Sequence, residues 1–282
     1  YMPVFNNALA GAAGSGGADA GYKIQKSLRF NAADSAHLTR TPTATGNRRT
    51  FTLSYWIKEC GKGTSPSNNP HILWSGADVN TRGGFVHRGT GSDANKIYLF
   101  NQESSSTNCA VWSNSIHRDF NAWKHIVWAV DTTQSTATNR VKLYVNGVQE
   151  TLNFVTTPSQ NLQLQINLNQ QHRIARGFPD DYGNYMLAEM HFIDGQQLSP
   201  VDVFGKFDAD TGVWDPIEYE GTYGTNGFYL DFSDDGSNGA LGDDRSKPDY
   251  NKLTGALKTT TGNGSFYSNT NPSRAFDGNT SN

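Results

Sequence analysis

The sequence predicts an all-β protein, an antiparallel β-sandwich or jelly roll with an extended N-terminal arm. Apolar and polar residues alternate with a period of two in many short runs, and turns rich in Gly, Ser and Asn separate these runs. Among 282 residues, 29 are Gly, only 10 are Pro and 17% are charged, which is a globular composition. A domain of about 200 residues buries roughly 70% of its unfolded surface, so its core requires neither a metal nor a disulfide.

Residues 123–131 and 141–147 predict two adjacent antiparallel strands. The first run is apolar on both faces, as expected of a central strand. The second alternates between an apolar and a polar set, so we expect one buried and one wet face; the two sets are Val141, Leu143, Val145 and Lys142, Tyr144, Asn146. Asn146 and Gly147 can supply the two positive-φ residues of a type I′ hairpin.

The other elements follow from the same period. The sequence predicts further strands at 27–30, 51–58, 72–74, 84–87, 97–100, 110–112 and 228–232. It predicts one short helix at 199–204, with Ser199 as N-cap and Pro200 at the first helical position. Many short strands at regular spacing favour a sandwich over any mixed fold.

A W-x-H-h-V strand, an Asp and a strand ending Y-V-N-G resemble the laminin G-like branch of the concanavalin A-like lectin/glucanase superfamily. The run 187–199 is similar to the late strand and Asp-Gly turn of that family, and the resemblance covers residues 25–232. It implies a sandwich that presents ligands from rim loops or from its concave sheet, often together with calcium. We take 23–232 as the sandwich domain.

Two segments resemble a narrower group, the laminin G-bearing structural proteins of aquatic tailed phages and large viruses. These segments are 2–17 and 221–235. The resemblance implies a virion protein assembled in the host cytoplasm, a fibre or decoration subunit that forms homo-oligomers, with a trimer favoured. It also implies attachment to a host-surface glycan.

The two ends of the chain differ in composition from the sandwich. Residues 1–22 are rich in Gly, Ala and Asn, so we expect an arm that docks on other virion structural proteins; the alternative is a floppy tail. Residues 233–265 lose the period and predict a linker or surface lobe. Residues 266–282 resemble the start of a discoidin-type (coagulation factor C-domain-like) module, so we expect the protein to continue beyond them.

Several function classes are disfavoured by the sequence. It has no Glu-x-Asp-x-x-Glu strand, the arrangement that places the two carboxyl groups of a glucanase on one face, and this predicts no enzyme activity. We expect the remaining candidates, Glu189 and His191, to be a solvated outward pair. The net charge of -3 without a basic stripe argues against nucleic-acid binding, and no apolar run suits a membrane span. For Cys60 and Cys109 we expect two free, mostly buried thiols, the alternative being one bridge.

Three loops could provide oxygen ligands for Ca²⁺, namely 177–185, 208–212 and 231–236. In the first loop we expect Asp180 and Asp181 as ligands. The alternative for each loop is an Asp-rich turn that caps its own backbone. The discoidin resemblance implies a further calcium set at Asp277, Asn279 and Thr280.

Sugar binding would use flat aromatic side chains beside carboxylates and amides. We expect Asp180, Asp181, Tyr182 and Tyr185 to contact a ligand, with Trp112 as an aromatic platform and Trp74 and Trp214 as further candidates; packing is the alternative for each Trp. The sequence thus predicts a non-enzymatic, virion-surface adhesion protein. The alternative is a carbohydrate-binding accessory module of a secreted glycan-active enzyme.

Overall fold

A computed structural model describes residues 21–60, 69–88, 93–178, 180–233 and 240–246, together with the backbone of 267–268. Two antiparallel sheets form a β-sandwich in this part of the chain, which confirms the predicted fold class. The strands are β1 Leu28–Phe30, β2 Leu38–Arg40, β3 Thr50–Glu59, β4 His71–Gly76, β5 Arg82–His87, β6 Ile97–Glu103, β7 Ser106–Ser113, β8 Lys124–Asp131, β9 Val141–Val145, β10 Val148–Gln149, β11 Leu152–Thr156, β12 His172–Ile174, β13 Tyr185–Asp194, β14 Gly205–Phe207, β15 Trp214–Pro216, β16 Phe228–Leu230 and β17 Tyr267–Ser268.

The larger part of these strands forms two sheets. Sheet A has the order β1-β13-β3-β8-β9-β10, and β16 extends the row of β1 along the same side of β13. Sheet B has the order β11-β7-β6-β5-β4-β12-β2-β17, and β14 pairs with β15 alone. Within the described residues, short 3-10 helices lie at Ala32–Asp34, Ala137–Asn139 and Ala240–Gly242.

The main core lies between the two sheets and follows the period-2 pattern. The inward-facing residues of β3 pack against inward-facing residues of sheet B. From β3 these are Phe51, Leu53, Tyr55 and Ile57, and from sheet B they include Phe85, Leu99 and Val111. Trp128 of β8 is fully buried and packs on Phe85, with ring centroids 5.5 Å apart. Alternation along each strand therefore determines which side chains remain on the two outer faces.

The β9–β10 hairpin turns at the predicted residues. Val145 pairs with Val148, and Asn146 and Gly147 have φ angles of 48° and 78°. Both central residues thus have the positive φ of a type I′ turn, as predicted. Strand β8 is buried on both faces, which confirms its central position.

The outer face of sheet A is not uniformly wet. Residues 198–223, which we call the cover, pack on it and build a second small core around Val127, Ile193 and Phe204. Tyr144, predicted on the wet face of its strand, belongs to this core and is only 9% exposed. The expectation of one wet face is wrong here because a distant segment of chain covers it.

The predicted helix at 199–204 is a turn. The carbonyl of Pro200 accepts hydrogen bonds from the amides of Val203 and Phe204, but Asp202 has a φ of 58°. A left-handed residue at the third position prevents the helix from propagating.

Both cysteines are free thiols; Cys109 is buried, whereas Cys60 is exposed.

A buried hydrogen-bond network holds the described part of the segment 221–235 in place. Asp194 accepts hydrogen bonds from the side chain of Asn167 at 2.7 Å and from the amide of Asn226 at 3.1 Å. The Asn226 side chain in turn donates to Asn167 Oδ1 at 2.9 Å. This buried network ties the approach to β16 to the end of β13, because each buried polar atom requires a partner.

Several predicted segments fall outside the described residues. They are the arm up to residue 20, most of the linker 233–265 and the discoidin-like end apart from the backbone of 267–268. In the described part, none of the helices has the length and apolar character that a membrane crossing requires.

Candidate functional site

The predicted ligand loop 177–185 sends its two acidic side chains to different places. Asp180 is 60% exposed at its side chain and pairs with Arg176, whose Nε donates to it at 2.9 Å. The Asp181 side chain is largely buried, with Oδ2 3.8 Å from His71 Nδ1. The two carboxylates are thus engaged separately rather than directed at one point.

Burial disfavours an ion pair between Asp181 and His71. Burial raises the pKa of Asp181 to about 6, with hydrogen bonds from Asn69 opposing the shift. Burial also lowers the pKa of His71 to about 4. Between these values both groups are mainly neutral, and outside them only one is charged.

Calcium does not fit this loop as it is folded. The ion requires six to eight oxygens that converge on one point, whereas Asp180 faces a guanidinium and Asp181 faces an imidazole. In the described part of the chain, no group of three or more His, Cys, Asp or Glu side chains is arranged to hold a metal. Asp277, Asn279 and Thr280 lie outside the described residues, so calcium at those positions stays a prediction.

The other two acidic loops cap their own backbone. Asp208 Oδ1 accepts from the amides of Asp210 and Thr211 and from the Thr211 hydroxyl. These hydrogen bonds lower the pKa of Asp208. Asp231 accepts from the amide and the hydroxyl of Ser233. Loop 208–212 matches the alternative interpretation of an Asp-rich turn, and so does 231–233, the described part of the third loop.

The two tyrosines of the predicted loop differ in burial. Tyr182 is partly exposed, with the Arg176 guanidinium 5.8 Å from its ring centroid. Tyr185 is a fully buried core residue, and its hydroxyl donates to the carbonyl of His71 at 2.6 Å. Tyr185 as a ligand contact is therefore wrong, because its position in β13 points it between the sheets.

Glu189 and His191 are not the solvated pair that we expected. Each is only 6% exposed, because the cover and Tyr22 lie over them. Glu189 Oε2 accepts hydrogen bonds from the hydroxyls of Tyr22 at 2.8 Å and Tyr229 at 2.7 Å. Glu189 has a φ of 47°, and the pairing of β13 with β3 shifts between Ala188 and His191. This β-bulge turns the carboxylate towards the tyrosines.

A cleft opens on the outer face of sheet A beside the cover. It has a volume of about 380 Å³, and we call it the tryptophan cleft. Trp56 of β3 and Trp123, which precedes β8, line it together with Ile24, Gln25, Lys26, Ser27, Ala188 and Pro216. Trp123 is 38% exposed. A wider depression of about 750 Å³ adjoins the cleft and shares Ile24 and Pro216 with it.

The orientation of Trp56 is set by a stack of rings. Trp56 stacks on His125 with centroids 5.0 Å apart, and His125 stacks on Trp214 at 5.8 Å. A Cβ at Gly147 or Gly205 would lie within 2.4 Å of the Trp214 ring, so both glycines make room for it. The cleft wall 24–27 is attached at both ends, by the Tyr22 hydrogen bond and by β1.

His125 does not activate Ser54 as a nucleophile. Its Nδ1 accepts from Trp214 Nε1 at 3.1 Å, so the ring proton lies on Nε2. Nε2 then donates to Ser54 Oγ, 2.8 Å away. Burial lowers the pKa of His125 to about 3, which keeps the ring neutral. A general base requires a free lone pair towards the hydroxyl, and here that nitrogen carries the proton.

The outer face of sheet B carries aromatic rings and basic groups, and we call it the cationic face. Cross-strand pairing places Trp74, Gly84 and Phe100 in one row, and Tyr98 and Trp112 in the next. Four cations lie among or beside these rings, namely Arg82, Arg88, Lys96 and Arg173. Of the predicted platforms, Trp112 is partly exposed, whereas Trp74 is 4% exposed and Trp214 is buried in the cover.

Sequence reasoning missed the tryptophan cleft. Trp56 alternates with the core residues of β3, and Trp123 begins the most apolar strand region of the chain, so both were visible as outward aromatic side chains. The missing information was the wall, because residues 24–27 and Pro216 come from distant parts of the chain. Trp112 was found because it lies on a strand with a plain period-2 pattern.

No family model matches this chain, and no curated protein matches it. Among solved structures, a heptameric SAP-like pentraxin from Limulus polyphemus is similar at 15% identity and a TM-score of 0.43, covering 63% of this chain and 79% of that one. Domain 4 of an extracellular arabinanase from Geobacillus stearothermophilus, solved with arabinotriose, gives 17% identity, a TM-score of 0.40, and 57% and 68% coverage.

Mouse laminin alpha1 domains LG4-5 give 10% identity and a TM-score of 0.40, and cover 64% of this chain and 45% of that one. At such identities the likeness concerns the fold alone. By its own architecture the chain belongs to the class of antiparallel β-sandwiches.

Proposed function

We propose that this chain is a non-enzymatic adhesion and structural protein of a virion surface, a fibre or decoration subunit that binds glycans through the tryptophan cleft. The observation that carries the glycan part is the pairing of Trp56 and Trp123 in one open cleft with polar groups on its wall. Pyranose rings present an apolar C–H face to aromatic rings and hydroxyls to polar side chains.

The cleft is organised before any ligand enters. Trp56 is held by its stack on His125, and the wall residues Gln25 to Ser27 are attached at both ends. A site that needs no reordering avoids the entropic cost of fixing its side chains during binding. The adjoining depression provides room for further sugar units along the same surface.

The chemistry of this surface supports binding rather than hydrolysis. Glycosidases use a pair of carboxyl groups, and none of the residues that line the tryptophan cleft is Asp or Glu. Two carboxylates of adjoining surfaces are engaged, since Glu189 accepts two tyrosine hydroxyls and Asp208 caps its own turn. The proposal accordingly assigns no catalytic residue.

The virion part of the proposal is supported by the amino-acid sequences of two segments, 2–17 and 221–235. Both resemble structural proteins of tailed phages and large viruses. A segment rich in Gly and Ala has little apolar surface to offset the entropic cost of ordering, which favours docking on a partner. Other subunits of the particle are the partners that this proposal assigns to it.

Glycan binding is tested on an array of neutral and acidic glycans with the full chain. We expect Trp123→Ala to weaken binding to the best neutral glycan by about tenfold, which corresponds to about 1.4 kcal/mol. The matched control is Trp112→Ala, the same substitution on the opposite sheet, which should retain that affinity. Equal affinity of Trp123→Ala and the parent protein would contradict the cleft assignment.

The particle assignment needs a separate measurement. Immunogold labelling of purified particles should locate the chain on their surface. If the protein is instead found only in a secreted fraction, attached to a glycan-active enzyme, the alternative of an accessory module replaces the virion role. Neither outcome depends on the variants of the cleft.

A further inference from the structure

The cationic face of sheet B combines charge and aromatic surface in one continuous area. The Arg82 guanidinium lies 5.9 Å from the ring centroid of Phe100, and the Arg88 guanidinium lies 5.9 Å from that of Tyr98. Lys96 Nζ lies 5.6 Å from the ring centroid of Trp112. Arg173 is the cross-strand neighbour of Trp74.

The cations on this face exceed the carboxylates that neutralise them. Lys96 pairs with Asp93 at 3.1 Å, and at the edge Arg176 pairs with Asp180. Arg82, Arg88 and Arg173 form no salt bridge within the described residues. The whole chain has a net charge of -3, so the excess positive charge here is local. A surface of this kind attracts anions at long range.

A second, independent observation concerns hydrogen-bond donors. Five buried N–H groups on this face have no acceptor within the described residues, and all belong to aromatic or basic side chains: Trp74 Nε1, Trp112 Nε1, Arg82 Nε, Arg88 Nε and Arg173 Nη1. These donors are hydrogen-bonding capacity that the described part of the chain leaves unused on this face. A ligand rich in anionic oxygens offers acceptors for such donors.

We infer that the cationic face is a second binding surface, and that its ligand is an acidic polysaccharide bearing carboxylate or sulfate groups. Guanidinium groups bind such oxyanions with two parallel hydrogen bonds. Anionic groups spaced along a polysaccharide can reach the separate guanidinium groups of Arg82, Arg88 and Arg173 without needing a free aromatic face. This site lies on the opposite sheet from the tryptophan cleft and does not rest on it.

A single-stranded nucleic acid is the less favoured polyanion. Nucleobases bind by stacking on free aromatic faces, whereas here cations lie over the rings of Phe100, Tyr98 and Trp112. Anionic groups can meet these cations where they lie, but bases would have to displace them. The saccharide therefore requires the smaller rearrangement.

The test uses calorimetric titration of the full chain with dextran sulfate and polygalacturonate, and with uncharged dextran as the neutral probe. We expect both acidic polymers to bind, dextran not to bind at this face, and Arg82→Gln/Arg88→Gln to weaken the acidic polymers at least about tenfold. The control Arg49→Gln/Lys142→Gln removes the same charge elsewhere and should bind like the parent. Circular dichroism checks that both variants fold.

Three results would overturn the inference: no binding of either acidic polymer, equal weakening in the control, or unchanged affinity in a folded Arg82→Gln/Arg88→Gln protein. Oligothymidylate is titrated alongside. If it binds as tightly as the acidic polysaccharides, charge alone attracts ligands and the assignment to saccharides fails. The Trp123→Ala protein should bind dextran sulfate normally, which separates this result from that of the cleft.

Discussion

The two outer faces of the sandwich use similar residues in different surroundings. On sheet A, Trp56 and Trp123 line a cleft whose wall comes from residues 24–27 and from the cover. On sheet B, Trp112 and its neighbours lie on an open strand surface among basic groups. The first face offers enclosure with little charge, and the second offers charge without enclosure.

This difference shows what determines the chemistry of an outward tryptophan. Strand alternation puts Trp56 and Trp112 outside their sheets in the same way. Residues 24–27 and Pro216 of the cover then enclose Trp56, while Lys96 lies over the ring of Trp112. Ligand class is therefore set by the segment beside the tryptophan and not by the tryptophan itself.

Salt should separate the two faces most strongly. If three cations of the cationic face release counterions on binding dextran sulfate, affinity should fall about hundredfold between about 50 mM and about 500 mM salt. Affinity of the tryptophan cleft for a neutral glycan should change less than about twofold over that range, since short-range stacking is not screened. Titrations at several salt concentrations measure both affinities. Equal slopes of log affinity against log salt concentration for the two ligands would contradict the difference between the faces.

Of the two binding surfaces, a substitution at Gly84 should affect only the cationic face. A Cβ there would lie 2.2 Å from the carbonyl oxygen of Leu73 and 2.8 Å from Trp74 Cε3. We expect Gly84→Ala to destabilise the fold by about 1–3 kcal/mol through overpacking, and to weaken dextran sulfate binding. Chemical denaturation measures the first effect. Gly195→Ala is the control for a glycine with open space around it, although its φ of 91° adds some strain of its own. Loss of neutral-glycan binding in folded Gly84→Ala protein would contradict the independence of the faces.

The Tyr22 hydroxyl should matter only for the tryptophan cleft. It donates to buried Glu189 and thereby holds the start of the cleft wall. Tyr22→Phe should cost about 1 kcal/mol of stability and weaken neutral-glycan binding, with dextran sulfate binding unchanged. The matched control is Tyr98→Phe on the cationic face, whose hydroxyl donates to no acceptor within the described residues. Denaturation curves and glycan titrations would show whether the two variants differ in this way.

A pH dependence of stability is expected at the edge of the cationic face. Burial raises the pKa of Asp181 from 3.8 to about 6, so the folded state favours the protonated carboxyl. Its contribution to the free energy of unfolding is present below pH 3.8, falls as the pH rises to about 6 and is then constant. Asp181→Asn should lack this fall in thermal melts, whereas Asp180→Asn should retain it. A wild-type profile in Asp181→Asn protein would show that the carboxyl does not titrate in this window.

The sequence was sufficient to predict the sandwich, the central position of β8 and the Asn146-Gly147 turn, since local periodicity and turn chemistry govern these features. It was insufficient for Tyr185, whose outward or inward direction depended on the register of β13 against β3. It was also insufficient for Glu189, because a β-bulge is not encoded in the alternation of apolar and polar residues.

By itself, the sequence determined which residues form strands and which face of each strand is buried. The physical reason is that every second side chain of a strand points into the core between the two sheets. Only the tertiary structure decided which outward residues stay accessible. Residues 24–27 and 198–223 close over sheet A and leave a cleft at Trp56, while sheet B keeps Arg82 and Arg88 over open rings. Those contacts join residues far apart in the chain, and no local pattern specifies them.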